Sequence, residues 1–247
     1  MKKVLLYFVV FIVVYLTFLV ATVPAQFVLG QVTLPKNVNI SGVSGTIWQS
    51  QFKQISHDKI QLNKVRADLS AWSLLSLTPT VDINFGDPMQ HGPVGELTLI
   101  VLDNELRVED AKISLAANDI IKNANLAIDV DAKGYVDIEL AALQLGKPMC
   151  HEVQGNIHWP KGKVNAFNED ITLGTLKARL GCEQGALTLT VDEKNDLGLS
   201  YTAYMRQVGK VTGNGYLTPG DKFPEKIKPA LGFLGKPDNQ GRYRLSL

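Results

Sequence analysis

The sequence is poor in the residues from which reactive sites are usually built: of 247 residues, two are cysteine, four histidine and three tryptophan. With no second cysteine pair, the usual two-pair zinc spacing is excluded. Charge of one sign is not in excess either, since 25 Lys and Arg face 24 Asp and Glu, interspersed rather than in blocks. Nucleic acid is therefore excluded as a partner, because phosphate-backbone binding needs a concentrated basic surface. The chain has no Gly-x-Ser-x-Gly elbow, no phosphate-cradling Gly-x-x-x-x-Gly-Lys-Ser/Thr loop and no His-Glu-x-x-His helix. The low-hydrophobicity, high-charge composition of disordered chains is absent as well: 45% of residues are hydrophobic and 20% charged, enough to bury a sizeable core.

What is present begins with an apolar N-terminus. From Val4 to Val23 there is no charged residue, and roughly 20 residues rising about 1.5 Å each match a hydrocarbon core about 30 Å thick. Lys2 and Lys3 precede this run, so the positive-inside bias puts residues 1–3 in the cytoplasm and everything after Pro24 outside. The expected organisation is a cytoplasmic tip over residues 1–3, a transmembrane anchor over 4–23, a stem over 24–39 and an exported β-rich domain over 40–247. A cleaved signal peptide is the alternative, with Val23-Pro24-Ala25 at the cleavage point, but the run exceeds the ~7 to 15 residues of a signal h-region. Without Lys2 and Lys3 the exported part carries a charge of about −1. Both cysteines, Cys150 and Cys182, lie in it, and a single disulfide is the economical reading in an oxidising compartment.

Beyond the stem the dominant signal is alternation with period two. Val81, Ile83 and Phe85 alternate with Asp82 and Asn84; Leu126, Ile128 and Val130 with Asp129 and Asp131; Val136, Ile138 and Leu140 with Asp137 and Glu139. Leu187, Leu189 and Val191 against Thr188, Thr190 and Asp192 repeat it, as do Tyr243, Leu245 and Leu247 against Arg242, Arg244 and Ser246. Such segments predict half-buried strands with one apolar and one wet face. Regularly placed glycines suit the hairpins of an antiparallel meander, and the helical stretches that parallel crossovers need are missing. The expected fold is mainly β: the N-terminal helix followed by a curled antiparallel sheet, a trough or partial barrel, with one or two short helices. Ala71–Leu77 and Phe223–Leu234 supply those helices and are expected to plug the open end or edge of the sheet.

Candidate chemistry is thin. Cys150, His151, His158 and Cys182 are of the right types for zinc, but seven residues from His151 to His158 is not a usual ligand spacing. Asp129, Asp131, Asp137 and Glu139 fall on the polar phase of strands, where a solvated sheet face accounts for them more simply than paired catalytic carboxylates. No catalytic residue, metal or cofactor is expected, and the chain does not read as an enzyme.

One short stretch stands out: Gly42-Val43-Ser44-Gly45-Thr46-Ile47-Trp48, just after the anchor. Together with Trp72-Ser73-Leu74-Leu75, the Leu231–Asp238 run containing Gly235 and Pro237, and Gly241-Arg242-Tyr243-Arg244-Leu245, it resembles the protein N family of the bacterial type II secretion system. The residues that carry the resemblance are Gly42, Gly45, Thr46, Trp48, Trp72, Gly235, Pro237 and Gly241, and the two cysteines also suit that family. The resemblance implies a single-pass bacterial inner-membrane protein with a periplasmic β-rich domain. It implies an accessory part of the machine that exports folded proteins through the outer-membrane secretin. The partners implied are other type II secretion subunits, among them the inner-membrane linker, secretion protein C, and the secretin. The alternative is a membrane-anchored β-groove module that binds lipid or another apolar ligand on the inner face of its sheet. Physically, Gly42 and Gly45 permit a bulge or close backbone approach at the first hairpin, and Trp48 is expected either to cover the end of the apolar face where the sheet begins or to be one more inward residue of a strand.

Overall fold

The computed structural model describes residues 2–31, 35, 37–58, 60–87, 89–90, 92–102, 105–123, 130–166 and 169–247. Ile128 and Asp129, expected inward and outward on one strand, lie outside them. The described chain is mainly antiparallel β, with fourteen strands and a few short helices after one long apolar helix. Two compact units divide it, residues 1–91 and 92–247.

In the first unit, α1 (Lys2–Ala21) is 20 residues long, and Lys3–Ala21 is long and apolar enough to cross a membrane. Its surface is apolar all round, as a membrane span requires and an amphipathic helix does not. The Thr17 hydroxyl donates to the Val13 carbonyl at 2.8 Å, so its polar group is satisfied within the helix. Pro24 then stops the helix. Residues expected to form an irregular stem instead contain a short helix, α2 (Ala25–Leu29), started by Pro24 and buried at Ala25.

Four strands follow as a meander, β1 (Val38–Gly45), β2 (Gln49–His57), β3 (Ile60–Leu69) and β4 (Thr80–Phe85), with α3 (Ala71–Leu75) between the last two. On β4, Phe85 is buried while Asp82 and Asn84 are exposed, as the alternation predicts. On the first three strands the alternation slips. Val43, Phe52 and Val65 form one row across the sheet and Ile40, Ile55 and Leu62 another, three residues further along each strand. Between the rows stand Gly42 at φ 62° and Lys64 at φ 49°. A left-handed residue lets a three-residue step keep apolar side chains on one face. Lys64 is not glycine, and its ammonium lies 2.6 Å from the Asp87 carboxylate.

The second unit contains β5 (Val94–Leu102), β6 (Glu105–Ala116), α4 (Ala117–Asn123), β7 (Val130–Lys133), β8 (Tyr135–Leu145), β9 (Cys150–Ala166), β10 (Glu169–Glu183), β11 (Ala186–Val191), β12 (Leu199–Gln207), β13 (Lys210–Leu217) and β14 (Tyr243–Ser246). Neighbours run β5-β6-β8-β9-β10-β11-β12-β13-β14, all antiparallel. β7 and β8 lie in line along β9, broken at Gly134, whose φ is 94°. The core sits where α4 covers this break: Ala117, Ala132 and Val136 are buried, packed by Ile121, Ile138, Ile157, Trp159 and Val164. The Trp159 indole donates to the Lys133 carbonyl at 3.2 Å.

Three expectations need correction. On β11 the predicted wet residue Thr188 is buried, as is Ala186, while Leu187 and Leu189 are only half-buried. Thr188 stands opposite Tyr204 on one side and Gly181 on the other, so a small side chain is enclosed beside a large one. Neither predicted plug is a plug. α3 buries none of its residues, and Phe223–Leu234 forms a 3₁₀ helix over Glu225–Leu234 in which no residue is buried, although Phe223 just before it is. Pro229 lies inside that helix and removes a donor from any α-type ladder. Leu247 is exposed rather than inward, although its amide and carbonyl pair with Gly213 on β13.

Candidate functional site

The motif residues of the first hairpin meet the end of α1. The last four carbonyls of a helix have no partner inside it. One of them, Val20, accepts a hydrogen bond from the Trp48 indole at 3.0 Å. Next to it the Ile47 amide donates to the Val23 carbonyl at 3.0 Å, and Pro24 bridges to Thr46. Thr46 closes the turn: its carbonyl accepts from the Ser50 hydroxyl at 2.9 Å. The Trp48 carbonyl in turn accepts from the Leu69 amide at 2.9 Å, tying the latch to β3.

The glycines are required by space. At Gly45, φ is 84° and a Cβ would lie 2.2 Å from the Gln49 carbonyl oxygen; at Gly42 a Cβ would lie 2.5 Å from that of Lys53. Trp48 is half-buried, and its indole is bonded to the helix end, joining helix and hairpin. Beside it opens a groove of about 760 Å³, lined among others by Ala21, Trp48, Arg66, Asp68, Ala71 and Asp82. Trp72 is not drawn into this cluster and stands 81% exposed.

The C-terminal motif builds a second structure, within the second unit. Asp238 Oδ1 accepts from the Gln240 and Arg242 amides at 2.8 and 3.0 Å, and Oδ2 accepts from Arg242 Nε at 2.9 Å. The Asp238 amide returns the bond to the Arg242 carbonyl at 2.9 Å, with Gly241 at φ 73° inside the turn. The Arg242 guanidinium lies 4.4 Å over the Tyr216 ring. The Arg242 amide beside Asp238, with the Gln240 amide and the Arg242 guanidinium, holds its carboxyl below the usual range. Gly235 ends the 3₁₀ helix at φ 91°, and Pro237 precedes the clasp. The clasp sets Tyr243 opposite Leu217, so that β14 joins β13.

The Cys and His residues do not converge. Cys150 and Cys182 form a disulfide with Cα atoms 6.0 Å apart. His151 Nε2 lies 3.6 Å from Glu105, while His158 stands between Asp137 and Lys177, about 23 Å further along β9. Asp137 and Glu139 sit in cross-strand rows: Ser114, Asp137, His158 and Lys177 in one, Lys112, Glu139, Asn156 and Arg179 in the other. The Ser114 hydroxyl donates to Asp137 at 2.8 Å. Opposite charges across a ladder stabilise a solvated face.

Sequence reasoning missed the partners of the motif residues. Val20 and Val23 are invisible as ligands because they act through carbonyls. The Asp238 clasp was detectable as an Asp-x-x-Gly-Arg turn.

The chain matches the family model described as "Type II secretion system (T2SS), protein N" over residues 36–246. It belongs to the type II secretion system protein N family. A protein of that name from Aeromonas hydrophila is 30% identical over 257 aligned residues, covering 99% of this chain and 98% of the relative. One from Vibrio cholerae is 26% identical, covering 98% and 97%, and one from Pectobacterium carotovorum 25% identical, covering 95% and 92%. No solved structure matches the chain. The family's span takes in the first hairpin with Trp48 and the C-terminal clasp, and begins after Val20, Val23 and Pro24.

Proposed function

We propose that the chain is an accessory inner-membrane component of the type II secretion machinery. In this reading residues 4–23 span the inner membrane and residues 1–3 face the cytoplasm. Residues 24–39 lead away from the bilayer, and residues 40–247 stand in the periplasm. There the sheet edges and loops contact other secretion subunits, among them the inner-membrane linker and the secretin, and support the complex that exports folded proteins. The observation that carries it is the Trp48 latch: an apolar helix whose end is hydrogen-bonded to the first hairpin holds that hairpin at a fixed place beside the membrane. Such a fixed attachment serves an assembly component better than a freely diffusing carrier. Family membership supports the same reading, and the sequence has no catalytic set that would compete with it.

A second reading, a groove for lipid or another apolar ligand, is favoured by one observation. Ile113, Leu115, Ile138, Leu140 and Ile157 on β6, β8 and β9 are only half-buried, although Ala111, Val136, Ala142 and Val153 on the same strands are buried. One experiment tests both. Photo-crosslinkers placed on exposed loops of the full chain in secreting cells should capture secretion subunits, and cells lacking the chain should retain exoprotein. Unimpaired secretion in those cells, with no subunit captured, would remove the assembly role. Lipid recovered in fixed ratio from the delipidated and purified chain would favour the groove.

A further inference from the structure

The segment from Ser70 to Thr80 carries no charged residue and presents three large apolar side chains to the outside. Trp72 is 81% exposed, Leu75 76% and Leu77 86%. Its place in the first unit is fixed by topology. β2 runs away from the latch and β3 returns to it, so the β3–β4 connection lies at the same end of the sheet as Trp48. Ala21 at the end of α1 and Ala71 at the start of α3 line one groove.

Two further observations concern the chemistry of this tip. Each of its five hydroxyl residues makes a hydrogen bond inside the segment. Ser73 donates to the Ser70 carbonyl at 2.7 Å, Ser76 to the Ser73 carbonyl at 2.9 Å and Thr80 to the Thr78 carbonyl at 3.0 Å. The Ser70 hydroxyl accepts from the Ser73 amide, and the Thr78 hydroxyl pairs with that of Ser76. A segment with its polar groups internally paired loses little on leaving water. Leu77 occupies the position after α3 where the chain turns left-handed, at φ 58°, with its own amide bonded to the Leu74 carbonyl and the Thr78 amide to the Ser73 carbonyl. Glycine fits that position without strain, whereas a leucine is strained there. A strained leucine that stands 86% exposed marks an outward use.

We propose that the tip formed by Trp72, Leu75 and Leu77 inserts into the leaflet at which α1 leaves the membrane, making a second, interfacial attachment. The occupant of the patch is the lipid surface itself. Its closeness to the helix end supplies the membrane, and an aromatic flanked by aliphatic side chains suits the boundary between headgroups and acyl chains. The inference rests on the reading of α1 as a membrane span.

The test uses the full chain in vesicles of phosphatidylethanolamine and phosphatidylglycerol. Because neither native cysteine is free, Leu75→Cys supplies one site for a nitroxide label, and Ile60→Cys, at the opposite end of β3, supplies the aqueous control. The expected result is that the label at 75 collides more with oxygen and less with a water-soluble nickel chelate than the label at 60. Adding Leu77→Gly should shift the label at 75 back toward water while leaving thermal stability unchanged or raised. Equal nickel accessibility at both positions, in chain that resists alkaline carbonate washing, would overturn the proposal and leave the anchor standing. Shielding of position 75 from both quenchers would mean that protein covers the patch, which also overturns it. Release of the chain by carbonate would overturn the anchor reading and this inference with it.

Discussion

The Trp48 indole reaches back 28 residues to donate its proton to the Val20 carbonyl at 3.0 Å. A helix of apolar residues ends with unpaired acceptors, and the hairpin brings the donor. Trp48→Phe keeps a ring and removes the donor, so it should cost about 1 kcal/mol, the usual net value of one hydrogen bond. Exchange of the neighbouring Ile47 amide, bonded to Val23, should quicken in the same variant. Unchanged exchange at Ile47 would show that the ring alone holds the junction.

Gly45 and Gly209 separate two effects that usually coincide. Both have positive φ, 84° and 79°, but a Cβ at Gly45 meets the Gln49 carbonyl at 2.2 Å and one at Gly209 meets nothing within 4 Å. Gly209→Ala should cost on the order of 1 kcal/mol, for backbone strain alone. Gly45→Ala adds a clash with backbone and should lower the unfolding midpoint further. Equal midpoints in urea would mean that the hairpin relaxes freely around the new methyl group.

The Asp238 clasp should weaken in acid. Its carboxyl titrates below the usual carboxylate value of ~3.9, chiefly because the Arg242 amide donates to it. A depressed folded-state pKa contributes stability above the unfolded value, and that stability is lost as pH falls through the folded value. Asp238→Asn should therefore destabilise the protein at neutral pH and flatten the decline of the thermal midpoint in acid. Asp87, held down by the Lys64 ammonium and then the Met89 amide, has the same sign. Parallel pH profiles for Asp238→Asn and the unaltered chain would show that the clasp does not depend on the charge.

The Cys150–Cys182 bridge spans a sequence separation of 32, for which the chain-entropy model gives roughly 3 to 4 kcal/mol. Replacing both cysteines by alanine should lower stability by up to that amount in urea, with reduction of the unaltered chain producing a matching loss. A loss after reduction but not after replacement would point to damage by the free thiols.

Period-two patterning made β4 and β8 legible, because Phe85 and Val136 are buried where alternation puts them. It failed where backbone conformation resets the phase. Nothing in Asn63-Lys64-Val65 announces a left-handed lysine, and the Asp87 carboxylate that its ammonium meets lies twenty-three positions later. It failed again at Thr188, where enclosure by neighbours on adjacent strands overrides polarity. α4 went unseen because seven residues are too few to show a helical period. Among the motif residues, Gly42, Gly45 and Trp48 were legible as a hairpin with a large ring, but their partner was not. A helix terminus offers carbonyls, which every sequence has and none displays.

The disulfide joins the first residue of β9 to the penultimate residue of β10. Tension applied along the chain, from the apolar helix at one end to β14 at the other, would pass from one sulfur to the next without entering the hairpin between them. At about 3.4 Å of extended chain per residue, the bond withholds roughly 110 Å of contour length from any stretching force. The long hairpin at the centre of the second unit is thus covalently exempt from load, and a single-molecule pull in oxidising buffer should be shorter by that length than one after reduction.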